Sequence, residues 1–155
     1  GILVDLAHCT SAAVGQALAH SKVPMVWSHS SVTSEGKPSW RQPVGKSRQL
    51  TLEDARAIAA KGGVVGLWTL SSDVGKTIES YAGRMAEMAA WLGEDHVAFG
   101  TDMNATANPP IESFSDLQRV VGLLRQRGIS EPALRKIAIG NYARVLDQAM
   151  AAGKT

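Results

Sequence analysis

Ile2-Leu3-Val4-Asp5-Leu6-Ala7-His8 and Pro24-Met25-Val26-Trp27-Ser28-His29 are two short apolar runs, each closed by a histidine, and their reading decides the fold. Runs this short and this apolar read as strands covered on both faces, the pattern of a parallel sheet. Parallel neighbours need a crossover of a dozen or more residues, and the two imidazoles stand 21 residues apart. A helix fits between them. Thr10 or Ser11 offers a capping hydroxyl, and Ala13, Val14, Ala17 and Leu18 form an apolar face. Strands of a parallel α/β protein point their carboxyl ends at one common face. His8 and His29 are therefore expected to converge on a single cation, and neutral imidazole suits zinc.

The alternation of strand and helix continues along the chain. A second helix starts at Thr51, with Asp54 as a short-armed capping box, and ends at Gly62-Gly63. Val64 to Trp68 reads as the third strand. Ile78, Tyr81, Ala82, Met85, Met88, Ala89 and Leu92 recur at helical spacing before Gly93, and read as core. Val97-Ala98-Phe99-Gly100 is the fourth strand and delivers Asp102 just past its end. After Asn108-Pro109-Pro110, the positions Leu117, Val120, Val121 and Leu124 predict a helix stopping at Gly128. Ser130 caps another, with Pro132 in its first turn, and a last segment runs from Asn141 to about Met150.

Four βα units make half of an eight-stranded barrel. The expected fold is α/β, a (β/α)8 TIM-type barrel of which residues 1–155 supply about the last four units, with no internal domain boundary. A small flavodoxin-like sheet is the alternative. Half a barrel leaves two open strand edges, so the missing amino-terminal half is expected from the same or another chain, and a homo-oligomer is expected too.

Composition excludes several classes. The chain has 155 residues, 45% of them hydrophobic, enough for one sizeable core. Its net charge of +2 comes from interspersed acids and bases, with no basic block of the kind that grips nucleic acid. No apolar run approaches the roughly 20 residues of a membrane span. Cys9 is the lone cysteine, so an intrachain disulfide is excluded and the redox compartment stays open. Gly1 leads straight into an apolar run without the charged start and cleavage site of a signal peptide, and the chain reads as a fragment. Cytoplasmic and periplasmic locations both remain open.

Residues just past strand ends are where barrel enzymes do chemistry, and His8, His29 and Asp102 all stand there. Two imidazoles and a carboxylate suggest metal-assisted hydrolysis, because zinc lowers the pKa of bound water to about 7. Five segments then occur in a familiar order: Asp5-Leu6-Ala7-His8, Ser28-His29-Ser30, Arg48-Gln49-Leu50-Thr51, Gly100-Thr101-Asp102 and Gly140-Asn141-Tyr142-Ala143-Arg144-Val145. The whole chain resembles the carboxyl-terminal half of the renal (membrane) dipeptidase family, zinc metallopeptidases of the amidohydrolase superfamily.

That resemblance implies a metalloprotease-type zinc hydrolase acting on dipeptides through a metal-bound hydroxide. It implies that His8 and His29 ligate one ion of a two-zinc centre, and that Asp102 acts at the metal and as proton shuttle to the leaving amine. Arg48 takes the place of the arginine that holds the substrate carboxylate, with Arg41 as its rival. A planar guanidinium fork matches a carboxylate. The chain departs from the family pattern in two places. Gly100-Thr101-Asp102-Met103-Asn104-Ala105 has lost an aspartate and a glycine, and no His-x-Asp occurs anywhere. The competing expectation is a divergent non-hydrolytic member that serves as a binding or maturation protein.

The remaining candidates read as ordinary. His20 stands at a helix end and His96 before a strand, at the end opposite the expected site. Asp5 either orients an imidazole or makes a structural hydrogen bond. Trp27, Trp40 and Trp68 are candidate pocket walls, and Trp91 reads as helix packing.

Overall fold

Val64–Leu67 carries no charged side chain and no hydroxyl, so it has little to offer water, and it becomes the middle strand of a parallel sheet. The computed structural model describes residues 1–33 and 49–153. Among them the strand order is β1 (Val26–Ser30), β2 (Val64–Leu67), β3 (Val97–Phe99). The helices are α1 (Ser11–His20), α2 (Leu52–Ala60), α3 (Ser71–Val74), α4 (Ile78–Leu92), α5 (Phe114–Gln126), α6 (Glu131–Arg135) and α7 (Asn141–Ala151). None is long and apolar enough to cross a membrane.

Alternation along the strands divides the interior. Trp27, Val65, Leu67 and Val97 enter the main core with Ile58 of α2, Tyr81, Met85 and Met88 of α4, and Val120 and Leu124 of α5. Val26, Val64 and Ala98 take the other face, against Val145 of α7. Each large apolar side chain buried this way contributes about 1.5–3 kcal/mol. All seven residues of the expected α4 stripe are buried. The Tyr81 hydroxyl donates to the Leu67 carbonyl at 2.8 Å, tying α4 to the end of β2, and burial pushes its phenol pKa up.

Helix starts follow the hydroxyl caps. Thr10, Thr51, Thr77, Ser113 and Ser130 each accept an amide from the first turn of the helix that follows. Thr77 with Ser80 and Ser113 with Asp116 close reciprocal boxes. The expected box of Thr51 with Asp54 is only half made. The Asp54 carboxylate instead accepts the hydroxyls of Thr51 and Ser11, at 2.8 and 2.6 Å, and so joins α2 to α1.

Three elements differ from the sequence reading. Ile2 to Ala7 is not a regular strand: it makes one parallel bridge, Asp5 to Val26, with Leu6 donating to Val26 and Val26 to Val4. Ile2 and Val4 are 83% and 43% exposed, so the described residues leave much of that apolar run uncovered. β1 runs two residues past Ser28 and contains His29. Finally, α6 does not stop before α7. A π-helical turn at Lys136–Gly140 joins them, because the backbone stays right-handed helical through Lys136 and Asn141.

Candidate metal centre

The site begins with an irregularity in β1. Trp27 pairs with Val65 and Ser30 with Leu67, so three steps on β1 oppose two on β2. That extra residue is a bulge, a device that re-aims side chains beside functional sites. Strict alternation would put His29 on the core face with Trp27. Released from it, the His29 ring reaches His8, with Nε2 to Nε2 at 2.9 Å and ring centroids 4.8 Å apart. Trp27 Nε1 donates to the His29 carbonyl at 3.1 Å, and the Trp68 ring lies 6.3 Å from the imidazole.

His8 arrives by a tight turn. Cys9 N donates to Leu6 O at 3.0 Å, and His8, the third residue of that turn, has φ 65°. Left-handed backbone at a side-chain-bearing residue costs on the order of 1–3 kcal/mol and is held by its surroundings. Asp102 shares the property, with φ 49°. Thr101 beside it is pinned by Thr69, whose amide and hydroxyl both donate to the Thr101 carbonyl at 2.9 Å. Ala105 N closes a turn on Asp102 O at 3.0 Å. Two of the residues singled out in the sequence thus sit in strained conformations at strand ends.

Asp5 bonds neither imidazole. Its Oδ1 accepts the amides of Ala7 and Ser28, each at 3.0 Å. Partial burial pushes its carboxyl up, but the Ser28 side chain, the two amides and the nearby His29 outweigh burial and hold it below the usual carboxylate range. Ser28 Oγ meets His29 Nδ1 at 2.7 Å. The sequence reading assigned Ser28 no role, and only its position directly before His29 could have suggested one.

The two Nε2 atoms fit a shared metal ion. A zinc with two nitrogen bonds of about 2.0–2.1 Å at a tetrahedral angle holds them about 3.3 Å apart, close to the separation found. They are half a ligand set. No group of three or more His, Cys, Asp or Glu able to hold a metal occurs among the described residues. Asp102 does not complete a group of three with the two imidazoles among the described residues. Arg48, its rival Arg41 and Trp40 lie outside the described residues. The neck of that segment is described: Val32 bridges Leu50, and Arg84 of α4 donates to the Ser31 hydroxyl and the Val32 carbonyl while lying 5.0 Å over the Trp91 ring.

The other histidines are structural. His20 Nδ1 bonds Gln16 O within α1, and His96 Nδ1 bonds Gly63 O at 2.9 Å. Cys9 is exposed and free. Below the site, on the inner face of the sheet, an open cavity of about 300 Å³ is lined by Val26, Ser28, Gly66, Ala98, Ile139 and Tyr142.

Parallel strands under flanking helices, with two imidazoles meeting at the strand ends, define the class: an α/β protein of the TIM-barrel type with a candidate metal site. The chain belongs to the membrane dipeptidase family, Peptidase family M19, whose family model matches residues 1–155. It is 30% identical to dipeptidase ataJ of Aspergillus terreus, over 96% of this chain and 36% of that protein. A solved metallo peptidase from Rhodobacter sphaeroides, liganded with a phosphinate mimic of the dipeptide L-Ala-D-Ala, is 25% identical. It superposes with a TM-score of 0.76 over 93% of this chain and 41% of its own. An amidohydrolase from Pseudomonas aeruginosa shares the fold, with a TM-score of 0.78 and 24% identity over 96% of this chain and 52% of its own. The chain thus spans about a third to a half of the length of these relatives.

Proposed function

We propose that this protein hydrolyses dipeptides in a zinc-dependent reaction, at a site completed by the other half of the barrel from the same or another chain. The observation that carries the proposal is the meeting of His8 and His29 Nε2 at 2.9 Å over parallel strand ends, in a chain of the dipeptidase family. His8 and His29 hold one ion, and a second is expected beside it. Bound zinc supplies Lewis acidity, polarising the scissile carbonyl and acidifying the attacking water. Asp102 belongs to the same centre. Its carboxylate receives the proton that the water loses and passes it to the departing amine nitrogen as the C–N bond breaks. Arg48 grips the free carboxylate of the substrate through a planar fork.

The open apolar cavity on the inner face, with Ile139 and Tyr142 at its rim and both exposed, supports a complementary half-barrel packing there. The alternative of a non-hydrolytic binding or maturation protein is not favoured by the relatives found. Hydrolysis of L-Ala-D-Ala and of L,L-dipeptides, measured before and after chelation and again after zinc is restored, tests the reading. Activity lost on chelation and regained with zinc supports it, and activity indifferent to chelation contradicts it. Arg48→Ala should remove about 2 kcal/mol of carboxylate binding, roughly 30-fold in kcat/KM, for free-acid dipeptides. Equal loss for carboxyl-amidated dipeptides would argue against that role.

A further inference from the structure

One oxygen connects both halves of the histidine pair. Asp5 Oδ1 accepts the amide of Ala7, the residue before His8, and the amide of Ser28, the residue before His29, each at 3.0 Å. The bonds fasten the turn that presents His8 to the bulge that presents His29, so the spacing of the two rings is set through a single atom. Ser28 adds a second connection. Its hydroxyl interacts with the Asp5 carboxylate and touches His29 Nδ1 at 2.7 Å.

The direction of that last bond decides which ring nitrogen carries the proton. A hydroxyl next to a carboxylate turns its proton toward the negative charge. The Ser28 oxygen then presents a lone pair to the ring, so His29 is protonated on Nδ1 and bare on Nε2. The contact between the rings agrees: with His29 Nε2 bare, His8 Nε2–H donates across the 2.9 Å gap until a metal replaces its proton. No hydrogen bond fixes His8 Nδ1 among the described residues, leaving that ring free to change tautomer when the ion arrives.

We propose that Asp5 is the positioning residue of this centre, its oxygen fixing the distance between the imidazoles and its charge selecting, through Ser28, the His29 tautomer that offers Nε2 to a metal. The proposal rests on the reading of His8 and His29 as ligands, but its first test does not. Long-range ¹H–¹⁵N correlation spectra of the metal-free whole protein, at a pH where imidazoles are neutral, report the tautomer directly. His29 should be Nδ1–H and His8 Nε2–H. Asp5→Asn keeps an acceptor for both amides but loses the charge, so His29 should shift toward Nε2–H while the fold persists. A wild-type His29 protonated on Nε2, or a tautomer unmoved in Asp5→Asn, overturns the proposal.

Zinc affinity by chelator competition is the second test. Loss of an outer partner of a ligating histidine typically costs about 10–100-fold, and that range is expected for Asp5→Asn and Ser28→Ala, with recovery in Ser28→Thr. Wild-type affinity in both variants overturns the proposal. Absence of zinc binding in the wild type, with the expected tautomers present, instead overturns the reading of the pair as ligands.

Discussion

The two ends of the sheet use the same kinds of side chain for opposite purposes. At the amino-terminal end, His96 Nδ1 bonds Gly63 O, Arg144 donates to Gly62 O and Asp95 O, and Asn141 donates to Glu94 O and Val97 O. Those groups are spent on carbonyls that would otherwise be left without donors. The residues that bear them have ordinary backbone conformations. At the carboxyl-terminal end, His8 and Asp102 are left-handed, β1 bulges, and the ring nitrogens of His8 and His29 find each other rather than the backbone. A histidine is not a site by its type. What separates His29 from His96 is the partner: the ring of His29 meets a second imidazole, and that of His96 a backbone carbonyl.

The largest effect should come from comparing His29→Ala with His96→Ala. The first should lower zinc affinity by more than the ~10–100-fold typical of losing an outer partner; the second should leave affinity unchanged and cost about 1 kcal/mol of stability. Equal loss of affinity in the two variants would break the comparison.

Crowding the carboxyl-terminal end comes next. A Cβ on Gly100 would lie 1.9 Å from the Ser28 carbonyl oxygen and 2.8 Å from Gly66 Cα, both backbone atoms that cannot swing aside. Gly100→Ala should cost on the order of 1–3 kcal/mol or more by chemical denaturation. Because Ser28 precedes His29, zinc affinity should fall with it. A stable variant with full affinity would show that the strand tops are less tightly determined than this geometry requires.

Arg144→Met keeps the stem and loses two bonds from a charged donor. About 2 kcal/mol of stability should be lost, with no change in zinc affinity, since the residue acts at the far end. Altered affinity would mean that the two ends are coupled. The smallest effect belongs to Asp116, whose carboxyl is held below its usual range chiefly by the Ser113 hydroxyl and next by the Glu112 amide. A folded pKa below the unfolded one gives stability that is present above the unfolded value of about 3.9 and lost as pH falls through the folded value. Asp116→Asn should flatten the acid limb of a pH–stability curve, and a curve identical to wild type would contradict this.

How much of this was legible in the sequence follows from what kind of interaction fixes each element. The α4 stripe could be read because burial follows from helical spacing, and the Val64 and Val97 strands because their apolar runs are unbroken. So could the meeting of His8 with His29, since parallel strands share one carboxyl-terminal face. Ile2 to Ala7 looked like a strand by apolarity, but regular pairing depends on neighbours that no local pattern specifies. The π-helical turn, the β1 bulge and the left-handed His8 are single-residue adjustments made by packing, with no periodic signal. Arg144 stood out only as part of a resemblance and Asn141 otherwise only as the start of a segment, and the structure gives their work as donors to backbone carbonyls at the amino-terminal end of the sheet. Asp5 was left between orienting an imidazole and making a structural hydrogen bond; it bonds no ring but holds the Ala7 and Ser28 amides, the backbone just before each histidine.

The central claim is that His8 and His29 hold a metal. Diffraction from the zinc-loaded whole protein, measured on both sides of the zinc absorption edge, tests it most directly. The account predicts an anomalous peak about 2.0–2.1 Å from both Nε2 atoms. A zinc peak elsewhere, with the two imidazoles still bonded to each other, would contradict it.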